Sequence, residues 1–196
     1  ARVAVLEAQT LGWGASSRNG GMVLTGLRLG VDTLLAHYGR ERAIRMFNAS
    51  LAAIDEMAQL IQDTQIDCDF VRCGHLELAY KPTHVQHFAH LAELSDNVFH
   101  HPLRFLNQQA LTDEIGSDRY YGGLVDEGSA GVNPARYLAG LAQLAQQAGV
   151  QLYGQSPVQQ IVRSGPHYRL VTPDGEVRAT QVFVGTGGYT GKATPN

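Results

Sequence analysis

Two groups of residues carry the chemistry this chain can do. The first is Glu7, which closes the apolar run Arg2-Val3-Ala4-Val5-Leu6. A carboxylate at a strand tip can accept hydrogen bonds from paired hydroxyls. In dinucleotide folds the acid ending the second strand does this for the adenosine ribose, about 20 residues after a glycine fingerprint. Counted back from Glu7, that fingerprint falls ahead of Ala1. A surface glutamate at a strand end satisfies the same pattern. The second group is Trp13-Gly14-Ala15-Ser16-Ser17-Arg18-Asn19-Gly20-Gly21. The Ser16 and Ser17 hydroxyls, with backbone N–H groups, suit phosphate oxygens, and Arg18 adds charge to that binding. Gly20 and Gly21 let the backbone approach a flat ring closely. A merely flexible loop has little need of Trp13, Arg18 and Asn19 among its glycines.

The elements that must position these groups are read from periodicity. Arg2–Glu7 is apolar without alternation, which predicts a strand of a parallel sheet covered on both faces. From Asp32 to Thr64 the pattern is helical, with Ile44, Phe47, Leu51, Ile54, Ala58 and Ile61 on one stripe. Residues 68–80 predict strands around Gly74, where Leu76 and Leu78 alternate with Glu77 as in a half-exposed antiparallel sheet. Residues 83–95 predict a short helix. Asn133 suits an N-cap, Pro134 a first helical position and Gly149 a stop. Val150–Tyr153 then reads as a strand, completing half of a βαβ unit. A meander follows, with Tyr168–Thr172 and Val177–Val184 flanking the turn Pro173-Asp174-Gly175. The chain closes on Val182-Phe183-Val184-Gly185-Thr186-Gly187-Gly188-Tyr189, a strand running into glycines.

This order predicts an α/β fold with an inserted antiparallel sheet: a partial Rossmann-like domain plus a substrate domain. The expected division is 1–66 for the first part of the dinucleotide domain, 67–130 for the substrate sheet and 131–196 for the second part. Ala1 falls directly inside a strand pattern, so the chain reads as a fragment.

Composition narrows the classes. The 196 residues are 44% hydrophobic and 17% charged, as in globular proteins, and the net charge of −3 argues against a nucleic-acid partner. No apolar run reaches membrane-span length, and no leader pattern is present. Cys68 and Cys73 are the only cysteines, and their spacing is neither a redox nor a metal pair. They read as two half-buried thiols of a reducing, cytoplasmic compartment. His84, His87 and His90 line one helix without a cysteine or carboxylate at ligand spacing, so a solvated face is expected and no metal. The 22 glycines cluster near 12–30, 116–131 and 185–191, which suggests backbone contacts with a ligand.

The stretch Gly12–Gly21 resembles the flavin-contacting segment of the D-amino-acid-oxidase-like FAD oxidoreductases, and within them the γ-glutamylputrescine oxidase branch. Val3–Glu7 resembles the strand that precedes it, Asn133–Leu138 the central helix start, and Val182–Tyr189 the strand-and-glycine motif near the cofactor. The resemblance covers nearly the whole chain, in order. It departs at Ser17 and Gly185, where glycine and alanine are common, and lacks both the N-terminal GxGxxG and the C-terminal segment. It implies FAD as cofactor, contacted by Glu7, Ala8, Trp13, Gly14, Ser16, Ser17, Arg18, Asn19, Gly20, Gly21, Gly185, Thr186 and Gly187, with the main chain of Val158 at the adenine. With no His or Cys between Ser16 and Gly21, noncovalent FAD is expected. The implied reaction oxidises a C–N bond of a small amine or amino acid, and residues 68–126 would form the sheet over the flavin. Arg72, His75, Tyr120 and Tyr121 are pocket candidates there, though ordinary sheet surface is the better reading for any one of them. Catalytic residues, substrate identity, electron acceptor and oligomeric state are not legible.

Two other readings compete. A nicotinamide-dependent dehydrogenase would use Gly12–Ser17 as a near-miss to GxGxxG, with Asp32 twenty residues on. However, Ala8–Leu11 separate those glycines from their strand, and no strand ends at Asp32. A non-catalytic scaffold or binding module is the other, because without a phosphate loop the chain would hold FAD poorly or not at all.

Overall fold

A computed structural model describes residues 2–191. The chain forms two compact units. One is built from residues up to Gly20 together with those from Pro134 onward; the other is Gly21–Asn133.

In the first unit, strand β1 (Ala4–Leu6) pairs in parallel with β7 (Gln151–Tyr153), in the register Val5 opposite Leu152. Helix α5 (Pro134–Gln147) supplies the crossover and begins at the proline. Beyond β7 lies the antiparallel meander β8 (Gln160–Ser164), β9 (His167–Thr172) and β10 (Gly175–Ala179). Two expectations change here. Val3 and Val5 are 48% and 43% exposed, so β1 is not covered on both faces. A two-stranded sheet with one helix is too small for that. The last strand also stops at Ala179. Residues 181–186 are irregular, and Phe183 is 94% exposed, because no described strand lies beside them to accept a ladder.

In the second unit, the predicted helical stretch is two helices, α1 (Val31–Tyr38) and α2 (Arg40–Thr64), broken at Gly39. Its φ of 72° is left-handed backbone that favours glycine and ends α1. The stripe on α2 faces inward as expected. Phe47 is buried with Leu34, Ala43, Val98 and Phe99, and Ile54 is buried further along. Helix α3 (Pro82–Leu94) runs on into a wider turn over Ser95–Phe99. The antiparallel sheet has the order β3 (His75–Leu78), β5 (Gly122–Asp126), β4 (Arg104–Asn107). Leu76 and Leu78 point to a core with Leu106, Leu111 and Val125, while Glu77 faces out. Helix α4 (Gln108–Ile115) starts where the Asn107 side chain accepts a hydrogen bond from the Ala110 N–H. A short pair, β2 (Met22–Val23) with β6 (Ala130–Gly131), completes the unit.

Two of the glycines in 116–131 have a packing role. Gly122 and Gly123 are buried in the central strand β5. A Cβ on Gly122 would lie 2.8 Å from the Leu106 carbonyl oxygen, and one on Gly123 2.8 Å from Leu76. Backbone across a ladder cannot step aside. Gly122→Ala is therefore expected to cost about 2 kcal/mol in chemical denaturation. Gly116→Ala, with a φ of 67° but nothing within 4 Å, should cost about 1 kcal/mol. Equal losses would mean that strand crowding plays no part. Among the described residues no helix is long and apolar enough to cross a membrane.

Candidate cofactor site

Glu7 and Ala8 follow directly on β1, and the loop from Gly12 to Gly20 continues from them in the same unit. The Glu7 N–H donates to the Tyr153 carbonyl (2.8 Å), and the Glu7 carbonyl accepts from the Ser156 N–H (2.8 Å). One carboxylate oxygen, Oε1, accepts from the Gln9 N–H at 2.9 Å, which fixes the side chain over its own turn. The other has no hydrogen-bond partner among the described residues, so a half-buried, oriented acceptor remains for a hydroxyl. Ala8 is exposed beside it. The Gln155 N–H donates to the Gln9 carbonyl (2.7 Å), tying the start of the loop to the end of β7.

From Gly12 the loop folds on itself. The Trp13 N–H donates to the Thr10 carbonyl, and the Arg18 N–H to Ala15. The Ser17 hydroxyl donates to the Gly12 carbonyl, and the Asn19 amide to the carbonyls of Ala15 and Ser16. Two of the expected cofactor groups, Ser17 and Asn19, thus shape the loop. Gly14 is half-buried, and Ser16, Arg18 and Gly20 are exposed and available. Gly21 opens the second unit, buried, with its carbonyl accepting from the Val132 N–H. The Arg18 guanidinium lies 4.5 Å over the Trp13 ring. Trp13 in turn meets Tyr189 edge-on, with ring centroids 5.9 Å apart. The loop and the glycine corner are therefore neighbours within this unit. At that corner the Tyr189 N–H donates to the Thr186 carbonyl, and the Thr186 and Thr190 hydroxyls are 2.6 Å apart. Gly185 and Gly187 are exposed there. Val158 is half-buried between β7 and β8, and its own N–H and C=O make no hydrogen bond among the described residues.

In the second unit the four pocket candidates do not converge. His75 pairs with Asp126 at one end of β5. Tyr121 precedes the other end, its N–H donating to Ala79, and Tyr120 packs on the core with Leu106 and Leu111. Arg72 is exposed and ion-paired with Asp55 at 2.5 Å. The two thiols are not both half-buried: Cys68 is buried, which pushes its thiol up from the ordinary value, and Cys73 is exposed. Asp32 sits in the first turn of α1, its Oδ1 accepting from the Thr33 N–H. It ends no strand and so cannot serve a nicotinamide ribose in the way that reading needs. His84 packs against Tyr80, His87 and His90 are exposed, and no three metal-ligating side chains converge among the described residues.

One cluster escaped the sequence. Asp126 accepts from His101 Nε2 (2.8 Å), the Gly128 N–H (2.9 Å), Ser129 Oγ (3.0 Å) and Thr25 Oγ1. Burial alone would raise its carboxyl, but the bonds from His101, Thr25, Gly128 and Ser129 outweigh burial and hold it at about 2. His101 also packs edge-on against Phe47. Thr25 lies 101 residues from Asp126 in the chain, so no spacing rule could have joined them. The only local signal is Asp-Glu-Gly-Ser after an apolar strand, which favours a side-chain-closed turn.

The parallel pair with its crossover helix in one unit and the antiparallel sheet in the other define a mixed α/β fold in two units. The model of the FAD dependent oxidoreductase family, DAO, matches residues 1–196, and the chain belongs to that family. It is 31% identical over 189 residues to a probable oxidoreductase OrdL of Haemophilus influenzae, covering 96% of this chain and 44% of that protein. It is 30% identical over 189 residues to the γ-glutamylputrescine oxidoreductase of Escherichia coli K12, with the same coverages, 96% and 44%. The chain thus spans under half the length of these relatives. Among solved structures, glycine oxidase from Geobacillus kaustophilus superposes with a TM-score of 0.75 at 24% identity, over 91% of this chain and 47% of that one. At that identity the likeness speaks for the fold.

Proposed function

We propose that the protein carrying this chain oxidises a C–N bond of a small amine or amino acid, and that this chain holds the dinucleotide end of a noncovalent FAD. The observation that carries the reading is the meeting of the Trp13–Arg18 loop with the Tyr189 corner beside a β1 tip that ends in an oriented carboxylate. Family membership and the name of the E. coli relative support the substrate class. FAD, when bound, would supply the acceptor for the hydride that leaves the substrate carbon, and the imine so formed would be hydrolysed by water. The chain's own residues bind and orient. Glu7 Oε2 would accept from a ribose hydroxyl, the exposed Arg18 and Ser16 would hold the diphosphate, and the main-chain groups of Val158 would serve the adenine edge. Gly14, Gly20 and Gly185 present backbone without side chains to the ligand. Of the division expected from the sequence, residues 67–130 are the part we assign to the substrate side.

The test is an ultraviolet–visible spectrum of protein purified from the complete gene. Flavin bands near one per chain, released by acid and absent from the intact-protein mass, are expected. They should bleach when primary or secondary amines are added without oxygen. A colourless protein that FAD cannot reconstitute overturns the reading in favour of a cofactor-free scaffold. A covalent adduct overturns the noncovalent part.

A further inference from the structure

We propose that Trp13 is a positioning residue for Arg18: it holds the guanidinium ready for the diphosphate of the cofactor, and is itself held by Tyr189. The inference rests on the functional reading above and adds a residue role to it. Trp13 is the chain's single tryptophan, yet it is 40% exposed, so burial does not account for it. Its recorded ring contacts are Arg18 on the face at 4.5 Å and Tyr189 at the edge at 5.9 Å. No carboxylate pairs with Arg18 among the described residues.

That combination has a specific physical consequence. A carboxylate partner would neutralise the charge and occupy the N–H fork. A ring face attracts the cation through its quadrupole and leaves the donors free. An unrestrained arginine loses about 2 kcal/mol of rotamer entropy when it is fixed on a ligand, and a stacked one has already lost part of it. The stack therefore presents a held, un-neutralised cation, which is what a diphosphate requires. The loop is built to keep the two side chains together. The Trp13 N–H is fixed to Thr10, the Arg18 N–H to Ala15, and the Ser17 hydroxyl closes the loop onto the Gly12 carbonyl. Gly14 leaves room for Tyr189, whose ring carbon would lie 3.7 Å from a Cβ there. Tyr189 is anchored in turn through its N–H to Thr186.

The experiment is a double-mutant cycle on apo-protein prepared from the full-length holoenzyme and titrated with FAD, ADP and riboflavin. Arg18→Met should weaken FAD and ADP by roughly 20-fold, the worth of a charge-assisted contact. Trp13→Ala should weaken both by about fivefold. The double variant should bind no more weakly than Arg18→Met alone, because Trp13 acts only through Arg18. Trp13→Phe should recover most of the affinity. Riboflavin, which has no diphosphate, should bind all variants alike. Multiplying losses in the double variant, or a fall in riboflavin affinity on Trp13→Ala, overturns the inference while leaving FAD binding intact. Failure of the wild-type apo-protein to bind FAD overturns the functional reading and takes this inference with it. Far-ultraviolet circular dichroism and the thermal unfolding transition of each variant identify any that fails to fold, and Trp13→Phe then carries the test.

Discussion

Asp126→Ala should lower the unfolding free energy by about 3–4 kcal/mol, a loss as large as that from truncating a buried core side chain. The carboxylate is 14% exposed and collects four donors from three separate segments. Removing it strands the Ser129 hydroxyl in a residue 1% exposed, along with Thr25 Oγ1 and His101 Nε2. It also unties the segment after β2. The Thr25 N–H reaches Ser129 Oγ (3.3 Å), and the Gly26 N–H reaches Ser50 Oγ (2.8 Å), the latter tied to α2 through the Phe47 carbonyl. Asp126→Asn keeps the shape but turns one acceptor into a donor facing donors, and should lose about 2 kcal/mol. The pH dependence has a definite sign. The carboxyl is depressed from 3.8 to about 2, so its contribution is complete above the unfolded value and disappears as pH falls through the folded one. About 2 kcal/mol should therefore vanish between roughly pH 5 and pH 2 in the wild type. The acid limb of Asp126→Asn should be flatter by that amount in urea titrations. Parallel acid limbs would show that this carboxylate is not the linked group.

What the sequence could and could not show follows from the range of the forces involved. The α2 stripe and the Leu76–Leu78 alternation were legible because periodicity records which face meets a core, and Phe47 and Leu76 point inward as expected. Pro134 and Gly149 marked α5 because cap chemistry is local. The break at Gly39 was not foreseen, because helical periodicity continues across it and only the backbone angle separates the two helices. The strand expected at 182–184 failed for a different reason. Val-Phe-Val has the propensity for a strand, but a strand needs a neighbour to bond, and that is a non-local condition. Likewise Gly122 and Gly123 look, in sequence, like the glycines of a ligand loop. Only the approach of Leu106 and Leu76 shows that they are there for packing. In the candidate site, the residue types and their order were legible from Glu7 to Gly21. The division of labour was not. That Ser17 and Asn19 tie the loop while Arg18 stays unpaired depends on which carbonyls the fold brings within reach.

Gly12→Val should cost about 3 kcal/mol, and where that loss appears discriminates between two states of the loop. Gly12 has a φ of 80°, a conformation that is a true outlier for a β-branched residue. A Cβ there would also stand 2.4 Å from Leu138 Cδ2 on α5. The two terms can be separated. Leu138 is half-buried and its side chain can turn away, so Gly12→Ala in a Leu138→Ala background should regain the steric part and leave the backbone part, about 1 kcal/mol. If the loop keeps its native path, the strain is carried by the folded protein and the melting temperature falls. If the loop relaxes, stability is spared, but the Gly12 carbonyl no longer receives Ser17 Oγ and the Trp13–Arg18 pair leaves its place. FAD must then restore the strained path on binding. A relaxation worth about 3 kcal/mol would raise its dissociation constant by roughly 150-fold. Stability loss and affinity loss should therefore sum to a near-constant total across Gly12→Ala, Gly12→Ser and Gly12→Val once each is corrected for its own strain. A variant that keeps both full stability and full FAD affinity would mean that the loop does not need this turn, and the assignment of Gly12–Gly21 to the cofactor would lose its geometric basis.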